Sequence, residues 1–177
     1  FLGYSALHFA GDWRRYLPGL KCLPLGLTIV ALPAVAFHAE TLTILGILAP
    51  DEWARRLTDA MVFIALTMGP LGLCLLIAAK VPWLELAEYV GLVAIGLLTP
   101  PLIYFSLYFC LAHSPKHLAD TKAELKVTNR QLFWRAFPIW VVTIIGAVLA
   151  FGLLAAPPQA ATLQIIFIGL AALTVPH

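Results

Sequence analysis

Five histidines stand in a chain otherwise short of polar side chains: His8, His38, His113, His117 and His177. In the run His113-Ser114-Pro115-Lys116-His117, two imidazoles lie four residues apart. On a helix that spacing puts them on one face, as a shared metal requires. Pro115 between them leaves two local structures open. Ser114 caps a new helix with Pro115 at its first position, or the helix continues through a kink; either keeps the rings close. The spacing alone fits a hydrogen-bonded pair equally well, so a metal site depends on whether His8 and His177 reach the same depth. Imidazole suits zinc, copper, iron and nickel alike, and the acids nearby are limited to Asp12 and Asp120. Cys22, Cys74 and Cys110 show no Cys-x-x-Cys spacing and are read as buried small apolar groups.

The elements that must position these rings follow from composition. Of 177 residues, 62% are hydrophobic and 11% charged, far from the roughly 45–50% and 25% of soluble domains. A water-soluble globule and a disordered chain are excluded, and a net charge of +2 is too small to imply a nucleic-acid partner. The reading is an all-α, polytopic integral membrane bundle forming one transmembrane domain over 1–177, with about six or seven membrane segments, since about 20 apolar residues span a bilayer. Spans are expected at 60–79, 86–112, 136–156 and 160–177, and 1–10 reads as the end of another. The chain begins at Phe1 and stops at His177 directly after an apolar run, which reads as a fragment missing an N-terminal segment and a C-terminal end.

The stretch 20–49 is interrupted by Pro24, Pro33, His38 and Glu40. As two short passes turning near His38, a broken pair inside the bilayer, it gathers every Lys and Arg except Lys80 on one side, which the positive-inside rule makes cytoplasmic. His8, His113, His117 and His177 then fall near that same face. A single pass would put His8 and His113 on opposite faces. Pro50-Asp51-Glu52 starts the next helix, since proline and acids suit an N-terminus. Thr121-Lys122-Ala123-Glu124 has capping-box spacing and opens an interfacial helix running to about Trp134. Glu85 and Glu88 are expected at the opposite interface.

Ionisable groups at membrane depth are functional candidates. His38 is read as a buried histidine satisfied by a backbone carbonyl that Pro33 leaves free, or as a pocket residue. Tyr104, Phe105, Tyr108 and Phe109 form an aromatic stripe before His113; it serves helix packing or walls a channel for a long, flat apolar molecule.

Three motifs, Ser5-Ala6-Leu7-His8-Phe9-Ala10-Gly11-Asp12, Tyr104-Phe105 followed by His113-Ser114-Pro115-Lys116-His117, and Leu173-Thr174-Val175-Pro176-His177, resemble those of the Brp/Blh family of membrane-bound β-carotene 15,15'-dioxygenases. The resemblance spans essentially the whole chain. It implies a multi-helix enzyme of a bacterial or archaeal cell membrane, with its metal site toward the cytoplasm. A histidine-held non-haem Fe(2+) would use dioxygen to cleave β-carotene centrally, giving two molecules of retinal, the chromophore of microbial rhodopsins. Ligand roles carry over to His8, His113 and His117, and His177 matches a motif histidine. A further family ligand lies in a Pro-His-Gly-type motif that this chain does not contain. Ala10 stands where the family often has glycine and Lys116 where arginine is common; neither change removes a ligand. Tyr104, Phe105, Tyr108 and His38 are the candidate substrate-binding residues. The rival readings are a histidine-rich membrane desaturase or hydroxylase, and a non-catalytic carotenoid- or haem-binding membrane protein.

Overall fold

The structure, a computed structural model, describes residues 2–153. The span expected at 160–177, with His177, lies outside the described residues. Among those described there is no strand. The chain divides at Ser114–Pro115 into two compact units.

In the first unit, α1 (Leu2–Ala10) leads through 3-10 turns at Gly11–Trp13 and Gly19–Cys22 into α2 (Leu23–Ala31), α3 (Pro33–Ala36) and α4 (His38–Leu48). Then come α5 (Asp51–Ala78), α6 (Trp83–Leu98), α7 (Pro101–Tyr108), a π-helical turn (Phe109–His113) and the start of α8 (Ser114–Leu125). Among the described residues, two stretches are long and apolar enough to cross a membrane, Gly19–Ala36 and Asp51–Ala78.

α2 is the most enclosed element, with Leu25, Thr28 and Ile29 fully buried, and it lies against both α1 and α5. Its contact with α1 is backbone on backbone. A Cβ on Gly26 would overlap the Ala6 carbonyl oxygen and sit 2.6 Å from the Ala10 nitrogen. Ala6 and Ala10, one turn apart, and Gly26 opposite them are the small residues that let two helices approach so closely.

The two short limbs expected in 20–49 are replaced by one limb running antiparallel to α5. The contacts fall in register: Leu25 lies near Gly72, Thr28 near Gly69, and Gly46 near Asp51, while His38 meets Asp59 at 3.0 Å. The break is where the prolines and His38 suggested, at Phe37 (φ −123, ψ 51). A single non-helical residue kinks a helix, whereas reversal takes a loop of about 2–5 residues. The reversal comes at Ala49–Pro50, after which α5 starts at Asp51 as expected.

The long span expected at 86–112 is also revised. Thr99 and Pro100 are extended, because proline drives the residue before it out of the helical region, and Pro101 opens α7 at a position where its missing N–H costs nothing. A Cβ on Gly96 would meet the Tyr104 ring at 2.9 Å. Eight residues along a straight helix would separate these positions by about 12 Å, so α7 folds back along α6. Consequently the start of α6 and the π-helical turn reach the same end of the unit. There Tyr16 donates to Glu85 at 3.2 Å and the rings of Trp13 and Tyr89 lie 6.0 Å apart. Glu85 and Lys80 are therefore at the end that carries Arg14, Arg15 and Lys21, not opposite it, while Arg55 and Arg56 in the first turns of α5 are at the other end.

Cys22 is buried as expected, but Cys74 and Cys110 are exposed, on the outer faces of their helices.

In the second unit, the helix expected over 121–134 is interrupted. α8 ends at Leu125, Lys126 takes a left-handed conformation (φ 51), and α9 (Asn129–Leu153) begins anew. The capping box lies at Thr128, not Thr121. Its backbone N–H donates to Gln131 Oε1 at 2.9 Å, and the Gln131 N–H returns to Thr128 Oγ1 at 3.3 Å. Gln131 can close that box as glutamate can.

Candidate metal centre

His8 stands in the last turn of α1 and His113 at the end of the π-helical turn. Separated by 105 residues, their Nε2 atoms are 3.2 Å apart. His113 is buried and His8 half-buried. The chain continues from His113 into α8 without a cap: the Ser114 N–H bonds the Phe109 carbonyl, the five-residue step of a π-bulge, and Pro115 is accommodated inside a continuous helix. Of the two local structures left open by the sequence, this is the unbroken one. In proline-containing helices the lost bond and the ring clash fall on the preceding turn, and widening that turn relieves both. His117 follows in the first turn of α8.

Around the rings is an aromatic shell. Phe9 contacts His8, Tyr108, Phe109 and His113 edge-on at 5.6, 5.1, 5.4 and 5.3 Å, and Phe109 contacts His113 at 5.2 Å. Asp12, in the 3-10 turn after α1, sets both carboxylate oxygens 3.0 Å from His113 Nδ1. Tyr108 donates its hydroxyl to Asp12 Oδ2 at 2.6 Å.

The donor set fits a first-row divalent cation. Two nitrogens 3.2 Å apart match ligands each about 2.1 Å from a shared ion at an angle near 100°, and a carboxylate on the far nitrogen of a histidine is the usual support for a ligating imidazole.

Of the other sequence candidates, Tyr108 is the one the structure brings to the site, through Asp12. Tyr104 and Tyr108 are fully buried and Phe105 is half-buried. The Tyr104 hydroxyl has no hydrogen-bond partner among the described residues. His38 does not join the cluster; it is exposed, and its Nε2 pairs with the Asp59 carboxylate rather than with a backbone carbonyl. His177 lies outside the described residues. In the sequence Asp12 stands out only by position: it is the sole acid before Glu40 and falls four residues after His8.

A cavity of about 380 Å³ lies between α2, α5 and α6, lined by Leu32, Ala65, Leu66, Leu73, Val93 and Leu97 among others. Its two hydroxyls are already committed to backbone carbonyls: Thr28 to Pro24 at 2.7 Å and Tyr89 to Gly69 at 3.0 Å. The cavity therefore offers hydrocarbon contact only.

A chain with no strand among its described residues, which brings two imidazoles together from distant segments and braces one of them with a buried carboxylate, defines a candidate histidine-ligated metal site. The family model for β-carotene 15,15'-dioxygenase matches residues 1–177, and the chain belongs to that family, the Brp/Blh group its motifs resemble. A β-carotene 15,15'-dioxygenase of uncultured marine bacterium 66A03 is 36% identical over 94 residues, 51% of this chain and 34% of that protein. The matched stretch thus spans about a third of that relative's length. No solved structure matches.

Proposed function

We propose that this chain forms the catalytic core of an integral membrane enzyme that cleaves β-carotene at its central double bond, with dioxygen, into two retinal molecules. The observation that carries it is the approach of His8 and His113 from segments 105 residues apart, in a chain of the β-carotene 15,15'-dioxygenase family. His8, His113 and His117 would hold a non-haem Fe(2+), with His177 as a further candidate ligand. When bound, iron supplies the activation of dioxygen that an organic side chain lacks.

The chain's own residues supply the rest. Phe9, Tyr108 and Phe109 surround the imidazoles and exclude water. The cavity beside α5 takes the hydrocarbon of a substrate that resides in the bilayer, and the outer faces of α5 and α6, with Phe63, Leu66, Ile77 and Leu98 exposed, are suited to lipid. α2 with α3, α5, α6, α7 and α9 would be membrane segments of a polytopic bundle. In the first unit the positive-inside rule sets the end with Arg14, Arg15, Lys21 and Lys80, and so the histidines, toward the cytoplasm of a bacterial or archaeal cell. A rhodopsin that takes up retinal is the natural consumer of the product.

Expression of the full-length gene in cells that make β-carotene is expected to bleach them and accumulate retinal. Undiminished β-carotene with no retinal, from protein present in the membrane, would refute the proposal. The aromatic stripe has its own test. Phe105→Ala is expected to lower turnover several-fold while leaving the metal content unchanged, because Phe105 is half-buried and remote from the nitrogens in sequence. Unchanged turnover would remove it from the substrate path. Tyr104 is the poorer probe, since truncating a fully buried aromatic costs about 3–5 kcal/mol of stability by itself.

A further inference from the structure

We infer that Asp12, held by Tyr108, is a positioning residue that fixes His113 with its proton on Nδ1, so that Nε2 faces His8 with a free lone pair. This rests on the metal-centre reading above and deepens it. The Asp12 side chain is 2% exposed and that of His113 is 8% exposed, so the pair is shielded from water, which could otherwise substitute for either partner. An ionised carboxylate only accepts hydrogen bonds. With both its oxygens 3.0 Å from Nδ1, a neutral ring carries its one proton there, which leaves Nε2 as the acceptor. In the metal-free protein His8 can donate to that Nε2 across 3.2 Å; a cation would take the same lone pair.

Tyr108 makes the arrangement directional. Its hydroxyl is fully buried, and Asp12 Oδ2 is its acceptor at 2.6 Å. If asparagine replaced Asp12, the tyrosine O–H would keep its bond only by holding the amide carbonyl, because an unpaired buried O–H is costly. The amide NH2 would then point at His113 Nδ1 as a donor. That opposes a proton on Nδ1, for which the carbonyl oxygen shared with Tyr108 is the remaining acceptor, and shifts the ring toward the Nε2–H form, which lacks the lone pair a metal needs. Removing the tyrosine hydroxyl as well frees the amide to turn its carbonyl back to Nδ1. A role limited to packing or to charge gives no reason for the second substitution to repair the first.

The test uses the full-length protein in detergent. Co(2+) and Fe(2+) are titrated as probes, and the metal-free protein, labelled with ¹⁵N-histidine, reports the tautomer of each ring. Asp12→Asn is expected to weaken Co(2+) binding about 10–100-fold and to move His113 to the Nε2–H form. Asp12→Asn with Tyr108→Phe should recover part of that loss and restore the Nδ1–H form. Wild-type affinity in Asp12→Asn, or no recovery in the double variant, would overturn the inference. Should Asp12→Asn fail to fold, the wild-type spectrum still decides, because His113 in the Nε2–H form is incompatible with the assignment. A wild-type protein that binds neither ion sinks the metal-centre reading; wild-type binding with an indifferent Asp12 sinks only this one.

Discussion

His113→Ala in the full-length protein is expected to abolish bound iron and retinal formation together. The side chain is at the centre of the cluster: its Nε2 faces His8 and its Nδ1 engages Asp12. Truncation also strands a carboxylate that is 2% exposed, so stability falls by about 1–3 kcal/mol or more. His8→Ala separates the two effects. His8 is half-buried where His113 is buried, so iron should disappear with a smaller change in melting temperature. Elemental analysis of purified protein beside a thermal melt reads both. Full iron occupancy with normal retinal yield in either variant would refute the ligand assignment.

Gly26→Val is expected to be nearly as damaging although Gly26 touches none of the histidines. The Cβ alone would overlap the Ala6 carbonyl, and the Ala10 nitrogen and methyl group are also too close; backbone cannot rotate aside as a flexible side chain can. α1 must move off α2, and α1 carries His8 and leads directly to Asp12. Overpacking of this kind costs about 1–3 kcal/mol, and the displaced helix takes half the cluster with it. Metal affinity should collapse in protein that remains helical by circular dichroism. Gly26→Ala is expected to show the same loss in milder form. A Gly26→Val protein with wild-type metal content would mean that α1 is not held where the contacts put it.

Parity explains why the histidines can be foreseen although the path between them differs from expectation. The prolines and polar residues of 20–49 resemble a turn and predict two passes; the structure has one. The unbroken hydropathy of 86–112 predicts a single span; Thr99-Pro100-Pro101 turns it into two. Each revision changes the number of crossings between His8 and His113 by one, in opposite senses, so the two rings still meet at one end. Charge counting could not expose the error, because moving Lys80 to the histidine end and Arg55 and Arg56 away leaves that end the more basic. A double proline inside an apolar run was the readable signal, since it both ends one helix and starts the next. The pair of imidazoles four apart was legible from helix geometry alone. Asp12 was less so: with Arg14 and Arg15 two and three positions on, it reads as one half of a local charge pair, and nothing nearby points to a ring contributed from more than a hundred positions away.

The widened turn at Phe109–His113 has a mechanical meaning. One extra residue in a helix rotates everything after it by about 100°, and here that rotation brings His113, five residues after Tyr108, into line with the face that Tyr104 and Tyr108 present: Tyr108 and His113 both reach Asp12. The same seating of α7 on α6 therefore aims two successive side chains at one carboxylate. Deleting a single residue here, such as Leu111, would turn His113 away from Asp12 while Tyr108 stayed in place.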